Sequence, residues 1–374
     1  MATKTTHPVL SNRALNRATL ARQLLLRRAP RSEMSVAGAV EHLVGLQAQN
    51  VKPPYYALAA RLDAFDPQEL SALMESRDVA RIVTLRSTIH THTAEDCLAL
   101  RPFAQAGGPD RELRLFRGRL DSVDLDRLAA YSRELVEERP RPVKELREAL
   151  LKEWPGTDPL ALTVAARCML PLVQVTPRGL WGRSGQVTLT TAERWFSRPQ
   201  APAPEPDAMV RRYLAAFGPA SVQDMQTWSG LTRLRDAFER LRPELVTFRN
   251  EKGVELFDLP EAPRPDADTP APPRFLPEFD NLLLSHADRS RVAAPDVKSR
   301  TWKGNQAYRV FLFDGFLGGL WLLEETKDRA VLTIQPFLRL TGAQRSAVAE
   351  EGEAMLATMT SATTREVRFA EFAA

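Results

Sequence analysis

Apolar residues at Leu15, Leu20, Leu24, Leu25 and Leu26 follow Ser11 and Asn12, and this spacing behind a capping side chain predicts an opening helix. Val36, Val40, Leu43 and Val44 predict a second helix over about 35–46, which runs into Gly45-Leu46-Gln47-Ala48-Gln49-Asn50. A third begins at Asp66-Pro67, a cap and first-turn pair, and continues through Leu70, Leu73 and Met74. Ile82-Val83-Thr84-Leu85 and Thr88-Ile89-His90-Thr91, joined at Arg86-Ser87, read as two strands. Helices followed by a strand pair are the layout of a winged helix, and residues 10–108 make a first such unit. Residues 109–197 repeat it, with helices opening at Pro142 and Pro159 and strands on either side of the basic loop Pro177–Gly185. A Pro-rich linker leads to a third copy over 207–260. There Ser221 caps a helix ending near Trp228, a second helix starts at Leu231, and a hairpin turns through Asn250–Gly253. Residues 274–374 differ: a basic loop from His286 to Lys303, strongly apolar strands near 310–313, 317–323 and 331–334, a helix near 343–359 and a last strand. The expected class is α+β, with tandem winged-helix (helix-turn-helix) units and a C-terminal β-rich part.

Gln47 and Gln49 stand two apart. On a helix they would face opposite ways; in an extended segment both amides project from one side. Pro53 and Pro54 favour the extended reading, because the residue before a proline is pushed out of the α region. Two glutamines after a helix end also serve commonly as backbone caps or solvent-facing groups, and the spacing alone does not choose.

Composition changes this picture little. The chain has 374 residues, 44% hydrophobic and 26% charged, which fits a globular protein of several units. No run approaches the roughly 20 apolar residues of a membrane helix, so no membrane partner is expected. Cys97 and Cys168 lie within apolar patterns and read as buried thiols of a reducing compartment, the cytoplasm, rather than a disulfide or metal site. The net charge is +4, unevenly spread: Lys4, Arg13, Arg17, Arg22, Arg27, Arg28 and Arg31 all precede the first acid, Glu33. Such a start is a basic helix facing phosphates, a transit peptide or a merely solvated basic face; the unbroken core-like pattern favours the first.

Other candidates each have a bland counterpart. His90 and His92 share a strand face, but two histidines are too few for a zinc site, and no metal is expected. Asp280 is either a supporting carboxylate or a helix cap. Arg178, Trp181 and Arg183 form a basic wing whose tryptophan is either a minor-groove wedge or a packed core residue. Arg289, Arg291, Lys298 and Arg300 lie in the basic loop and suit phosphate contact.

Four stretches occur in one order here: Gln47-Ala48-Gln49, Arg86-Ser87-Thr88-Ile89-His90, Pro177-Arg178-Gly179-Leu180-Trp181 and Leu276-Pro277-Glu278-Phe279-Asp280-Asn281-Leu282. Together they resemble the AlkZ-type family of winged-helix DNA glycosylases over almost the whole chain. The resemblance implies tandem winged helices and a β-rich part forming a concave DNA-binding surface, and a monomer that acts on double-stranded DNA carrying alkylated purines. It implies excision of N7-alkylated purines, with interstrand crosslinks unhooked by some members, in repair or in bacterial self-resistance to alkylating natural products. A sister branch, YcaQ-like, has a carboxylate where this chain has Gln49; the middle residue, Ala48, is small where the family often has a larger one. By the same resemblance Gln47 and Gln49 are the catalytic residues and no cofactor is needed; His90, Asp280 and Asn281 are candidates for supporting roles.

The chemistry is consistent with neutral amides. N7-alkylation leaves the purine cationic and already a good leaving group, so no strong general acid is required, unlike a glycosidase. A carboxamide orients a water but cannot usefully take its proton. The rival expectation is a non-catalytic winged-helix transcription regulator, although nothing in the chain reads as a dimerisation helix. A silent protein that only binds damaged DNA is a third.

Overall fold

The computed structural model describes residues 7–294 and 297–372. Its centre is a six-stranded sheet in the order Leu46–Gln47, Ile89–Thr93, Val79–Val83, Leu172–Gln174, Thr188–Thr191, Arg141–Pro142. All neighbours are antiparallel, and the pairs Arg81↔Gln174 and Ile82↔Val173 join the strands of the first expected unit to those of the second. The two units are thus welded edge to edge rather than strung in series. The glutamine strand is one edge of this sheet.

Local signals placed most helices. Ser11 caps Asn12–Arg22, and Asp66 closes a capping box on Pro67–Glu75. Ser221 does the same for Val222–Ser229, which ends at Gly230 in a left-handed conformation. The next helix begins only at Arg235, because Arg233 is itself left-handed and Gln226 Oε1 accepts the Leu234 N–H. The hairpin Val246–Asn250 and Glu255–Asp258 follows, with Val9–Leu10 added parallel to its outer side.

The C-terminal part is a five-stranded sheet, Arg274–Leu276, Val310–Phe313, Phe316–Glu325, Arg329–Pro336 and Thr364–Phe369, with the helix Gly342–Met359 against it. Its Trp321, Leu332 and Leu356 share one core with Val40, Leu58 and Leu70 of the first unit. A second core joins Val44 and Leu85 to Tyr213, Phe217 and Trp228 of the third. The residues around Gln47 are therefore gripped from both sides.

The basic N-terminal helix does not present a phosphate-binding face. Arg22 makes a fully buried bidentate pair with Asp258 at 2.7 and 2.8 Å, and Arg17 is buried against Asp314 and the Thr269 carbonyl. Arg28 pairs with Glu351 at 2.5 Å, Arg31 with Glu69 and the exposed Arg27 with Glu33. Most of these acids lie more than 200 residues away in sequence, where no local pattern links them to the helix. Lys4 lies outside the described residues.

Candidate active site

The helix Val36–His42 stops four residues earlier than its apolar pattern predicts. Val44 at φ 53° and Gly45 at φ 86° turn the chain left-handed and deliver Leu46–Gln47 to the sheet edge. Gly45 is required twice over: its φ suits glycine, and a Cβ there would lie 2.2 Å from the His92 ring. Asn281 holds this turn, donating from Nδ2 to the carbonyls of Leu43 (3.1 Å) and Gly45 (2.8 Å). Gln47 pairs with His90 across the ladder, and the Ala48 N–H donates to the Ile89 carbonyl at 2.7 Å. The extension comes from this pairing and not from the prolines. Lys52, just before Pro53, is itself in the α region, and both prolines open the helix Pro53–Ala59.

The strand ends at Gln47 and Gln49 follows in a bend, and the two carboxamides differ in exposure: Gln47 is 8% exposed, Gln49 is open to solvent. Gln47 Oε1 accepts from Arg86 Nη2 and Gln49 Oε1 from the Ile89 N–H, both at 3.3 Å. Among the described residues neither Nε2 meets an acceptor, so both amide donors remain for a substrate or its water. Arg86 is anchored in turn by the Trp228 carbonyl of the third unit, on a turn where Arg86 and Ser87 are both left-handed. Non-glycine residues in that region concentrate at functional sites. Burial, reinforced by nearby Arg289, pulls the Arg86 guanidinium down to about 10. Beneath the strand Arg81 donates to the Ala48 carbonyl at 2.7 Å, while its Nε and Nη1 have no partner among the described residues. Burial, then Arg178, lowers it to about 10 as well. The surroundings of Gln47 are thus cationic.

The other candidates divide. His90 is buried, its Nδ1 within reach of the Thr88 carbonyl and Thr84 Oγ1, and its ring stacks on His92 at 5.5 Å. The histidine pair is a wall behind the glutamine strand. Asp280 is fully buried in a bidentate pair with Arg61 (2.7 and 2.8 Å) and also caps the helix Asn281–Leu284. The acid of that stretch that reaches the glutamine segment is instead Glu278, which accepts from Asn50 Nδ2 and Arg309 Nε, each at 3.0 Å. Trp181 is half-buried against Tyr55 (4.9 Å) and Tyr56 (6.2 Å), so it is packed inside the fold, not projected as a wedge. Arg178 folds back onto the Gly185 carbonyl, whereas Arg183 is exposed. Arg291 is buried, its Nη1 donating to the Pro219 carbonyl and Thr19 Oγ1, so it is shielded from a phosphate at the surface. Arg300 lies over the Phe337 and Phe372 rings. Arg289 is half-buried with no acidic partner among the described residues; the Lys298 side chain lies outside them.

Burial holds the histidines neutral: His90 well below its usual range, His92 down at about 4 and His286 at about 3. The unfolded chain takes these protons near pH 6.5, so between about 4 and 6.5 the unfolded state binds more of them and stability falls with falling pH. His92 alone removes about 2 kcal/mol by about pH 5. Urea unfolding at about pH 7.5 and 5 should show a lower midpoint in acid; equal midpoints would mean that solvent reaches the rings.

A family model described as "DNA glycosylase AlkZ-like" matches residues 40–358, a span that includes Gln47, Gln49, Arg86 and Glu278. The chain belongs to that family. It is a DNA glycosylase, an enzyme of DNA repair. It is 25% identical over 343 residues to an interstrand DNA cross-link repair glycosylase of Streptomyces sahachiroi, covering 82% of this chain and 86% of that protein. The solved structure of the Streptomyces sahachiroi DNA glycosylase AlkZ matches with a TM-score of 0.78 at 20% identity, covering 97% of this chain and 100% of that one. The likeness shows a shared α+β fold.

Around Gln47 in this DNA glycosylase, Arg86 and Glu278 stand within the four motif stretches without being singled out there as site residues, and Arg81 stands outside them. Arg86 had a visible signal, since it sits at the joint of the two strands next to the motif. Arg81, within a β-branched run, had none. No described helix is long and apolar enough to cross a membrane.

Proposed function

We propose that this DNA glycosylase hydrolyses the N-glycosidic bond of bulky N7-alkylated purines in double-stranded DNA, interstrand crosslinks included, with Gln47 and Gln49 positioning the attacking water. The observation that carries this reading is the pair of carboxamides at the end of the edge strand, each with its oxygen already held and its nitrogen without an acceptor among the described residues. A cationic N7-alkylpurine leaves without a strong acid, so the enzyme must chiefly place water at the deoxyribose carbon. Holding reactants in the attack geometry supplies up to roughly 7–11 kcal/mol in the best cases. Neutral amides suit a site where two guanidiniums already crowd the strand. The cross-link repair named for the Streptomyces sahachiroi relative supports the bulky-lesion reading, and with it a role in repair or self-resistance within a bacterial cytoplasm.

In this proposal residues 10–108, 109–197 and 207–260 act as winged helices and, with 274–374, make a concave surface for one duplex bound by a monomer. Arg183 and Arg289 are its best-placed phosphate contacts among the residues singled out in the sequence. The test is a duplex with one N7-methylguanine and another with a bulky N7 adduct, each incubated with the protein and then treated with alkali. Strand breaks at the lesion are expected on both. An enzyme that leaves every alkylated duplex intact would overturn the reading.

A further inference from the structure

Beside the Gln47 strand lies a cleft of about 710 Å³, bounded by the turn at Arg86–Ser87, the helix Pro109–Phe116 and the helix Val222–Ser229. Glycine backbone forms its floor. A Cβ on Gly107 would come within 2.8 Å of the Gly230 carbonyl carbon, and one on Gly108 within 2.5 Å of the Ser87 nitrogen. The three segments therefore meet by backbone contact and leave the space above them open.

The walls are chemically uneven. Arg86 and Arg111 face Gln223, Gln226 and Thr227 across the opening, and Leu115, 78% exposed, stands at the rim. Some exposed arginines nearby are paired, as Arg139 is with Glu145 at 2.6 Å. Arg111 and, further along its helix, Arg114 have no carboxylate or hydrogen-bond partner among the described residues. The acid that lines the cleft, Glu112, is already engaged by Arg167 and Ser87, each at 2.5 Å. An unspent guanidinium opposite amide and hydroxyl groups is the chemistry of a phosphodiester site. Among the described residues no aromatic ring lines the cleft, which offers no stacking platform for a base or planar adduct there.

We propose that this cleft is a DNA-backbone subsite, holding a phosphodiester beside the nucleotide whose bond is cut. Arg111 supplies the free charge, Gln223 and Thr227 supply hydrogen bonds, and the rim leucine packs on deoxyribose. Arg86 sets the register, because it lines the cleft and also touches Gln47. The inference rests on the reading that Gln47 marks the reaction centre.

The experiment measures binding of the full-length protein to an undamaged duplex across a series of salt concentrations. Arg111→Gln is expected to lower the slope of log affinity against log salt by about 1, the loss of one phosphate contact. Gln223→Glu, which places an anion in the cleft, is expected to weaken binding about tenfold or more. Lys327→Gln, an exposed cation elsewhere on the surface, should change neither. Slope and affinity unchanged in Arg111→Gln overturn the proposal, as does an equal loss in Lys327→Gln. Because this readout needs no chemistry, the two readings separate. Wild-type excision with an unaltered Arg111→Gln slope sinks the cleft alone. A reduced slope without excision on any alkylated duplex sinks the glycosylase mechanism and leaves the cleft as a DNA site.

Discussion

Gln47→Ala is expected to slow excision from an N7-methylguanine duplex by about 10²–10³-fold, the usual cost of deleting one fixed polar group at a reaction centre. Gln49→Ala should fall in the same direction by less, since Gln49 is exposed and its amide is held only by one backbone N–H at 3.3 Å. Gln47 is nearly buried, and Arg86 fixes which end of its amide points outward. Single-turnover rates at saturating DNA measure this, with a thermal melt to show that the variant is folded. Deleting a side chain at a two-residue edge strand removes few contacts, so stability should hold. A Gln47→Ala protein that excises within threefold of wild type would rule out water positioning by this residue.

Asp280→Ala should produce the largest loss of stability. Asp280 and Arg61 are both fully buried, and removing the carboxylate strands a guanidinium whose other partners are the Ala57 carbonyl and Gln23 Oε1. Breaking such a pair from one side costs about 3–5 kcal/mol, because the remaining charge stays out of water. The melting temperature should drop by roughly 4–6 °C in a chain of this size. The pair links the helix Pro53–Ala59 region to the segment carrying Asn281, which in turn holds the Gly45 turn. Asp280 is thus placed to support the site through the fold. A variant that melts normally yet no longer excises would make it a participant in the reaction instead.

Much of the secondary structure was legible because its causes are local. Ser11, Asp66 and Ser221 cap helices through hydrogen bonds that span two or three residues, so the signal and its partner lie in the same short window. The strand pair around Arg86-Ser87 was equally visible, shifted by a few residues to Val79–Val83 and Ile89–Thr93. The prolines misled at one point. Lys52 precedes Pro53 and is nonetheless helical, since Pro53 and Pro54 begin a helix rather than interrupt a strand. The N-terminal arginines misled for a different reason: what most of them touch comes from remote parts of the chain.

From the sequence alone came the α+β class, the glutamine pair after a helix end, and the order of motifs that resembles the AlkZ-type family. Each depends on neighbours along the chain or on residue identity. Tertiary structure decided what surrounds the pair. It turned Arg17 and Arg22 inward to acids at 314 and 258, fused two strand sets into one sheet, and gave Asp280 to Arg61 while bringing Glu278 to Asn50. It also set Arg86 between Gln47 and the Trp228 carbonyl. The arginine pairings share one physical reason. A buried guanidinium must find an acceptor wherever the packed chain supplies one, and such partners carry no periodicity in the sequence.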